Sequence, residues 1–283
     1  SSSSSSSSIK TALTNTSTTN LSILDDSGTC KFGQKFFWDN MYEGTGDKGL
    51  GRPSDSYSWY CGYDELIPFW NMLVVPLLLL LSYKDTTMIT QETETDTDNN
   101  NQPQQQQQQR KKEDIQILVV GTGNDETPVQ LYDEGWENMI AFDYSQSGLD
   151  RAQVLFGKDR SKVQLLQADA RQLPLSNDTV DVVFDKGTLD VIYMNEEQAF
   201  YDSIAELTRV MAPNGILICV SAVIPQEDLL AAFDNNGSSA ASSSNSCSCE
   251  WDTLFDGDLA FAPDGEATID LGAQLYAFHK LGK

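Results

Sequence analysis

The segment from Ile115 to Asp143 limits what this chain can fold into more than any other. The apolar run Ile117-Leu118-Val119-Val120 meets Gly121-Thr122-Gly123-Asn124-Asp125-Glu126, then a helix-like stretch, then Met139-Ile140-Ala141-Phe142-Asp143. Unbroken apolar runs suit strands covered on both faces. A first strand ending on glycines, with a second ending on a carboxylate about 20 residues later, is the layout of a nucleotide-binding βαβ unit. Glycine suits such a turn because a Cβ would hold the backbone away from a ligand. Asp143, at the carboxyl end of the second strand, is placed to accept hydrogen bonds from ribose hydroxyls.

The same turn discriminates between nucleotides. A dinucleotide site uses a third glycine so that a pyrophosphate can rest on the helix N-terminus. Here Asp125 and Glu126 stand at that position, and carboxylates fill the place of a phosphate. The turn therefore disfavours a phosphate ligand and tolerates a cationic one. S-adenosylmethionine has a ribose, an adenine, an ammonium and a sulfonium, and no phosphate. A nicotinamide dehydrogenase fits less well, lacking the third glycine and a placed proton donor; the only histidine is His279.

Charge and thiols narrow the partners. The 283-residue chain has a formal net charge of −24 and a pI of about 4.1. Such a chain repels nucleic-acid phosphates, and Arg110-Lys111-Lys112 is its only basic cluster. Nucleic acid is not expected as a partner, whereas a lysine-rich protein surface is. The five cysteines, Cys30, Cys61, Cys219, Cys247 and Cys249, have neither disulfide nor zinc spacing, and reduced thiols suit the cytoplasm. No metal site is expected.

Four regions follow from composition. Residues 1–30 are a Ser/Thr-rich tail expected to be disordered. Residues 31–83 hold an aromatic segment and then an apolar run, Leu66 to Tyr83. That run approaches the ~20 residues of a membrane span. Pro68, Asn71 and Pro76 interrupt it and no basic stop follows, so a helix packed on a sheet is expected and membrane contact is not. Residues 84–114 are a polar insertion with glutamines from Gln104 to Gln109, expected to be disordered. Residues 115–283 form the core.

Within the core, strands are expected at Val163–Ala168, Thr179–Phe184 and Ile216–Val220. Helices are expected to Phe156, over Glu196–Met211 and over Pro225–Phe233. Pro213-Asn214-Gly215 reads as a stop and Asn235–Ser248 as a loop. Trp251–Phe255 and Gln274–Lys280 form a closing hairpin, with Gly257 and Pro263-Asp264-Gly265 as turns. The fold class is α/β: a doubly wound, mostly parallel seven-stranded sheet of Rossmann-like type with a C-terminal antiparallel hairpin. Ligands of such sheets bind at the carboxyl ends of strands. The glycine turn, Asp143, Asp169 and Asp185 all fall there.

Those residues carry a resemblance. Leu118 to Glu126, Phe142-Asp143-Tyr144-Ser145, Ala168-Asp169-Ala170 and above all Phe184-Asp185-Lys186-Gly187-Thr188-Leu189-Asp190 resemble the class I S-adenosylmethionine-dependent methyltransferases. The nearest likeness is the branch that includes lysine methyltransferases of elongation factor 1-alpha. Phe37-Trp38-Asp39, Tyr42 and Trp59-Tyr60 look like that branch's aromatic N-terminal segment. Two departures stand out. Val119 replaces the acidic residue common two places before the turn, a choice the branch shares, and Thr122 stands where cysteine is frequent.

The resemblance implies S-adenosylmethionine as cofactor. Gly121, Thr122, Gly123 and Asn124 would shape its methionine site, with Asp143 and Tyr144 at the ribose. Asp169 and Ala170 would hold the adenine, and Asp185 would stand beside the ammonium and the reacting methyl as the catalytic residue. Read from the residues themselves, the aromatic stretch with Trp38, Tyr42 and Trp59 is either a small satellite core packed on the domain or a lid over the cofactor with rings near the substrate cation. The implied substrate is a protein with an accessible lysine, with a translation elongation factor as candidate. A small-molecule methyltransferase and a noncatalytic cofactor-binding module are the alternatives.

Overall fold

The structure, a computed structural model, describes residues 30–45, 56–80, 110–233, 249–259 and 272–282. The N-terminal tail, residues 84–109 of the insertion, the Asn235–Ser248 loop and the Pro263–Gly265 turn lie outside the described residues.

Seven strands form one sheet. They are β1 (Ile117–Val120), β2 (Met139–Asp143), β3 (Gln164–Gln167), β4 (Val180–Lys186), β5 (Met211–Ser221), β6 (Trp251–Asp258) and β7 (Gln274–Lys280). Their order is β3-β2-β1-β4-β5-β7-β6. The first five run parallel; β7 is antiparallel to both β5 and β6. The described helices are α1 (Lys35–Glu43), α2 (Tyr63–Val75), α3 (Thr127–Asp133), α4 (Gln146–Phe156), α5 (Thr188–Asn195), α6 (Glu197–Val210) and α7 (Gln226–Ala232).

Every residue of β1 and β2 is buried, as apolar runs without alternation require. Alternation of side chains splits the core in two. Ile117, Val119, Val182 and Phe184 face Leu66, Phe69 and Trp70 of α2. Leu118, Val120, Val183 and Cys219 face Phe200, Ile204 and Leu207 of α6. Val119 pairs with Ala141 on one side and Phe184 on the other.

The described part of the apolar run, residues 66–80, is helical and packs on the core. In α2 the buried residues are Leu66, Phe69, Trp70, Leu73 and Val74, one face of a 3.6-residue period. The Trp70 ring meets Trp136 and Phe184 edge-on at 5.6 and 5.9 Å. The Glu65 carboxylate accepts from the Gly62 N–H at 2.9 Å and caps the helix start. Past Pro76 the chain makes a π-helical turn, Pro76–Leu80. No helix among the described residues is long and apolar enough to cross a membrane.

Three expectations change, and one further helix is present. β4 runs two residues further than Phe184 and so includes Asp185 and Lys186. The segment after it, to which the sequence assigns no element, is a helix, α5: Gly187 at φ 83° turns the chain and the Asp185 carboxylate accepts from the Leu189 N–H at 3.1 Å. Pro213–Gly215 does not end an element; β5 spans it with an irregularity opposite Asp181, between the pairs Val180–Met211 and Val182–Ile216, and Asn214 takes φ 64° there. Gly257 lies inside β6 instead of forming a turn.

Candidate active site

The carboxyl ends of β1, β2 and β4 meet at the point where strand order reverses, the expected ligand crevice of a doubly wound sheet. After β1, Gly121 and Gly123 take φ 60° and 48°, conformations that cost a side-chain-bearing residue about 1–2 kcal/mol. Their missing side chains leave room for the protein's own groups. A Cβ on Gly121 would lie 2.1 Å from Thr188 Oγ1, and one on Gly123 would lie 2.3 Å from the Tyr42 hydroxyl. A Gly121→Ala variant is therefore expected to lose about 2–3 kcal/mol of stability, from backbone strain and overpacking together. An unchanged denaturant midpoint would contradict this packing.

Between these glycines Thr122 is 2 % exposed, and its hydroxyl has no hydrogen-bond partner among the described residues. A buried orphan hydroxyl costs about 1–3 kcal/mol. Asp125 Oδ1 accepts from the Thr127 N–H at 3.1 Å and caps α3, so a carboxylate does hold the place a phosphate would use; Glu126 is exposed.

Asp143 is buried under the turn. Its Oδ2 accepts from the Gly123 N–H at 3.0 Å and its Oδ1 from the Ser145 N–H at 2.9 Å. Burial pushes its pKa up to about 6, against the pull of those backbone donors. Tyr144 is half-buried, and burial together with the Asp143 charge raises its phenol. Ala170 is buried in the core face shared with Leu173. Asp169 is turned to the rim, where Arg171 Nη2 lies 2.6 Å from its Oδ2 and holds its carboxyl below the usual range.

Asp185, at the end of β4, is fully buried. Besides capping α5 it takes a contact at 3.5 Å from the Cys219 thiol. Burial, and then the neighbouring Asp190 charge, push its pKa up to about 8. Among the described residues no cation bonds it. Asp190 is better supplied: it accepts from the Tyr60 hydroxyl at 2.6 Å, from the Ala222 N–H at 3.0 Å and from the Ser221 hydroxyl.

The N-terminal aromatics reach the same edge. Trp38 and Tyr42, on one face of α1, stack at 6.1 Å and are both buried. Trp38 Nε1–H is spent on the Phe32 carbonyl at 2.6 Å. Arg151 of α4 donates to the Tyr42 carbonyl at 2.7 and 2.9 Å and closes the C-terminus of α1. Trp59 is half-buried, edge-on to Trp38 at 6.0 Å and to Tyr57 at 5.0 Å. The Tyr57 N–H donates to the Asn124 carbonyl at 3.1 Å, which ties this segment to the glycine turn.

The structure thus brings the glycine turn, Asp143 and Tyr42 into direct contact and places Asp185 on the adjacent strand end, while Asp169 stands apart on Arg171. Sequence reasoning gave no partners to Lys186, Asp190, Ser58 or Arg151. Their roles depend on contacts across 31 to 130 positions of chain. A charged residue inside an otherwise apolar strand end, such as Lys186, was the one available hint.

A methyltransferase-domain family profile matches residues 118–219. The eEF1A lysine and N-terminal methyltransferase of Mus musculus is 34% identical over 110 residues, 38% of this chain and 16% of that protein. The EEF1A lysine methyltransferase 2 of Danio rerio is 32% identical over 121 residues, 41% of this chain and 52% of that protein. The chain thus spans about half, or far less, of the curated relatives it matches. A solved S-adenosylmethionine-dependent methyltransferase from Methanosarcina mazei aligns at 15% identity with a TM-score of 0.46, over 60% of this chain and 94% of that one. Residues 118–219 thus match a methyltransferase domain, and they lie in a 3-2-1-4-5-7-6 sheet whose βαβ unit ends on Gly121-Thr122-Gly123 and Asp143.

Proposed function

We propose that this chain transfers a methyl group from S-adenosylmethionine to a lysine amine of a protein, with a translation elongation factor as first candidate. The observation that carries the reading is Asp185: a carboxylate buried at the reacting edge, with no cation bonded to it among the described residues. Such a group favours a positively charged visitor. The orphan Thr122 hydroxyl likewise suits a ligand that hydrogen-bonds at the turn. Two of the relatives named above are lysine methyltransferases of eEF1A, which supports the substrate class.

When bound, S-adenosylmethionine supplies an electrophilic methyl on a sulfonium. Gly121, Thr122, Gly123 and Asn124 would hold its methionine part and Asp143 its ribose. Tyr144, Asp169 and Ala170 would border the adenosine, Asp169 by exchanging Arg171 for the exocyclic amine. Asp185 would orient the cationic groups, and the aromatic cluster of Trp38, Tyr42 and Trp59 would exclude water around the incoming amine. A lysine must first lose its proton, which costs about 4–5 kcal/mol at neutral pH. Solvent takes that proton; no side chain is assigned as base. The four described cysteines are free thiols, which suits the cytoplasm as the place of action.

The test is incubation of the chain with labelled S-adenosylmethionine and a cell extract, followed by mass spectrometry of the labelled species. Methyl-lysine on a protein is the expected product. Label confined to a small metabolite would favour the alternative activity, and a chain that binds cofactor but labels nothing would be a noncatalytic module.

A further inference from the structure

Among the described residues, Lys186 is the one buried ammonium beside the crevice that the proposed chemistry does not use. It follows Asp185 in β4, so the two side chains leave opposite faces of the sheet. Its Nζ lies 2.8 Å from Asp125 Oδ2 and donates to the Cys61 carbonyl at 2.8 Å and to the Ser58 hydroxyl. Thr127 Oγ1 is a further acceptor at 3.3 Å. Ser58 is engaged from the other side as well, since its hydroxyl lies 2.8 Å from Asp125 Oδ1. One ammonium therefore joins the end of β4, the glycine turn and the segment Tyr57–Cys61.

That segment is strained. Tyr60 takes φ 65°, and the Cys61 N–H closes on the Trp59 carbonyl at 2.7 Å. A three-residue turn with positive φ at its centre is rare and persists only where its surroundings hold it. Three holds are visible: Tyr57 on the Asn124 carbonyl, Lys186 on Ser58 and Cys61, and the Tyr60 hydroxyl on Asp190. Gly187 completes the fit, since a Cβ there would sit 3.1 Å from the Tyr60 ring and 3.8 Å from Trp59 Cβ. The turn so held sets Trp59 and Tyr60 beside the strand end that carries Asp185.

We propose that Lys186 is a positioning residue: by tying Ser58 and Cys61 to Asp125 it holds the strained Trp59–Tyr60 turn across the reacting end of the crevice. For its effect on catalysis this rests on the methyltransferase reading; for the hold itself it does not. It acts through the turn and touches neither cofactor nor substrate.

The test uses the full chain with Lys186→Met and, as a milder cut of the same tie, Ser58→Ala. In the ligand-free protein, amide hydrogen exchange at Tyr57–Cys61 is expected to quicken about ten-fold or more in both variants while β1 and β4 keep their protection. In turnover, kcat is expected to fall about ten-fold or more while KM for the cofactor stays within about three-fold, a split that general loss of stability would not produce. The double variant should lose no more than the worse single one, because both cut one network. Unchanged exchange in both variants overturns the proposal, as does quickened exchange with unchanged kcat. Should Lys186→Met fail to fold, Ser58→Ala decides by the same readings. Should the wild-type chain neither bind S-adenosylmethionine nor transfer a methyl, the proposed function falls, and the exchange measurement still decides whether Lys186 holds the turn.

Discussion

Replacing Asp143 with alanine is expected to weaken S-adenosylmethionine binding about 100-fold or more, an affinity loss of about 3 kcal/mol. Two losses combine. The carboxylate would no longer take charge-assisted hydrogen bonds from ribose hydroxyls, each about 1.5–3 kcal/mol. The Gly123 and Ser145 N–H groups, which now donate to it at 3.0 and 2.9 Å, would also be left without an acceptor, and the glycine turn would lose its support from β2. Asp143→Asn keeps the size and one acceptor oxygen and should lose distinctly less. Calorimetric titration of the folded variants measures both. An Asp143→Ala protein that unfolds like wild type and binds with wild-type affinity would refute the ribose assignment.

The ligand-free protein should become less stable between pH 5 and pH 8. Asp185 has its pKa raised to about 8 in the folded chain and Asp143 to about 6, both by burial first. Unfolded carboxyls of this kind titrate near 3.9. The folded state therefore holds protons that the unfolded state has released, and the stability this gives is present below about pH 4 and lost as pH rises through the folded values. Between pH 5 and pH 8 Asp185 alone carries a loss of about 4 kcal/mol and Asp143 of about 1 kcal/mol. Asp190, also raised by burial, acts in the same direction. His279, lowered by burial, opposes it modestly as pH falls below 6.5.

Carboxyls lowered by ion pairs or hydrogen bonds, such as Asp133 and Glu206, lose their contribution only at lower pH and leave this window clear. Denaturant unfolding at pH 5 and pH 8 measures the slope. Asp185→Asn should flatten most of it, since the amide neither ionises nor repels Asp190. Saturating S-adenosylmethionine should flatten it too, by bringing positive charge to the same carboxylate. A slope that survives Asp185→Asn intact would show that the buried acid lies elsewhere.

How much of this was readable without coordinates differs from element to element. β1, β2 and the glycine turn were legible because they are local: an unbroken apolar run, two glycines and a terminal carboxylate each state their requirement within a few residues. α2 was legible as a packed helix because prolines and an asparagine interrupt its apolar run. α5 was not, because Thr188-Leu189-Asp190-Val191-Ile192-Tyr193 mixes β-branched and aromatic residues of weak helix propensity. Its cap comes from Asp185, on the preceding strand. Gly257 reads as a turn on composition, yet pairing with β7 keeps it in a strand.

By itself, then, the amino-acid order determined the alternation of strand and helix, the placement of carboxylates at one sheet edge and a turn hostile to phosphate, because periodicity, glycine and charge act over short spans. Only the tertiary structure decided that Asp143 supports the glycine turn, that Tyr42 and Thr188 fill the space of its missing side chains, that Asp169 leans on Arg171, and that Lys186 joins three distant segments. Burial and hydrogen bonding between residues far apart in the chain set those roles, and neither quantity exists until the sheet has closed.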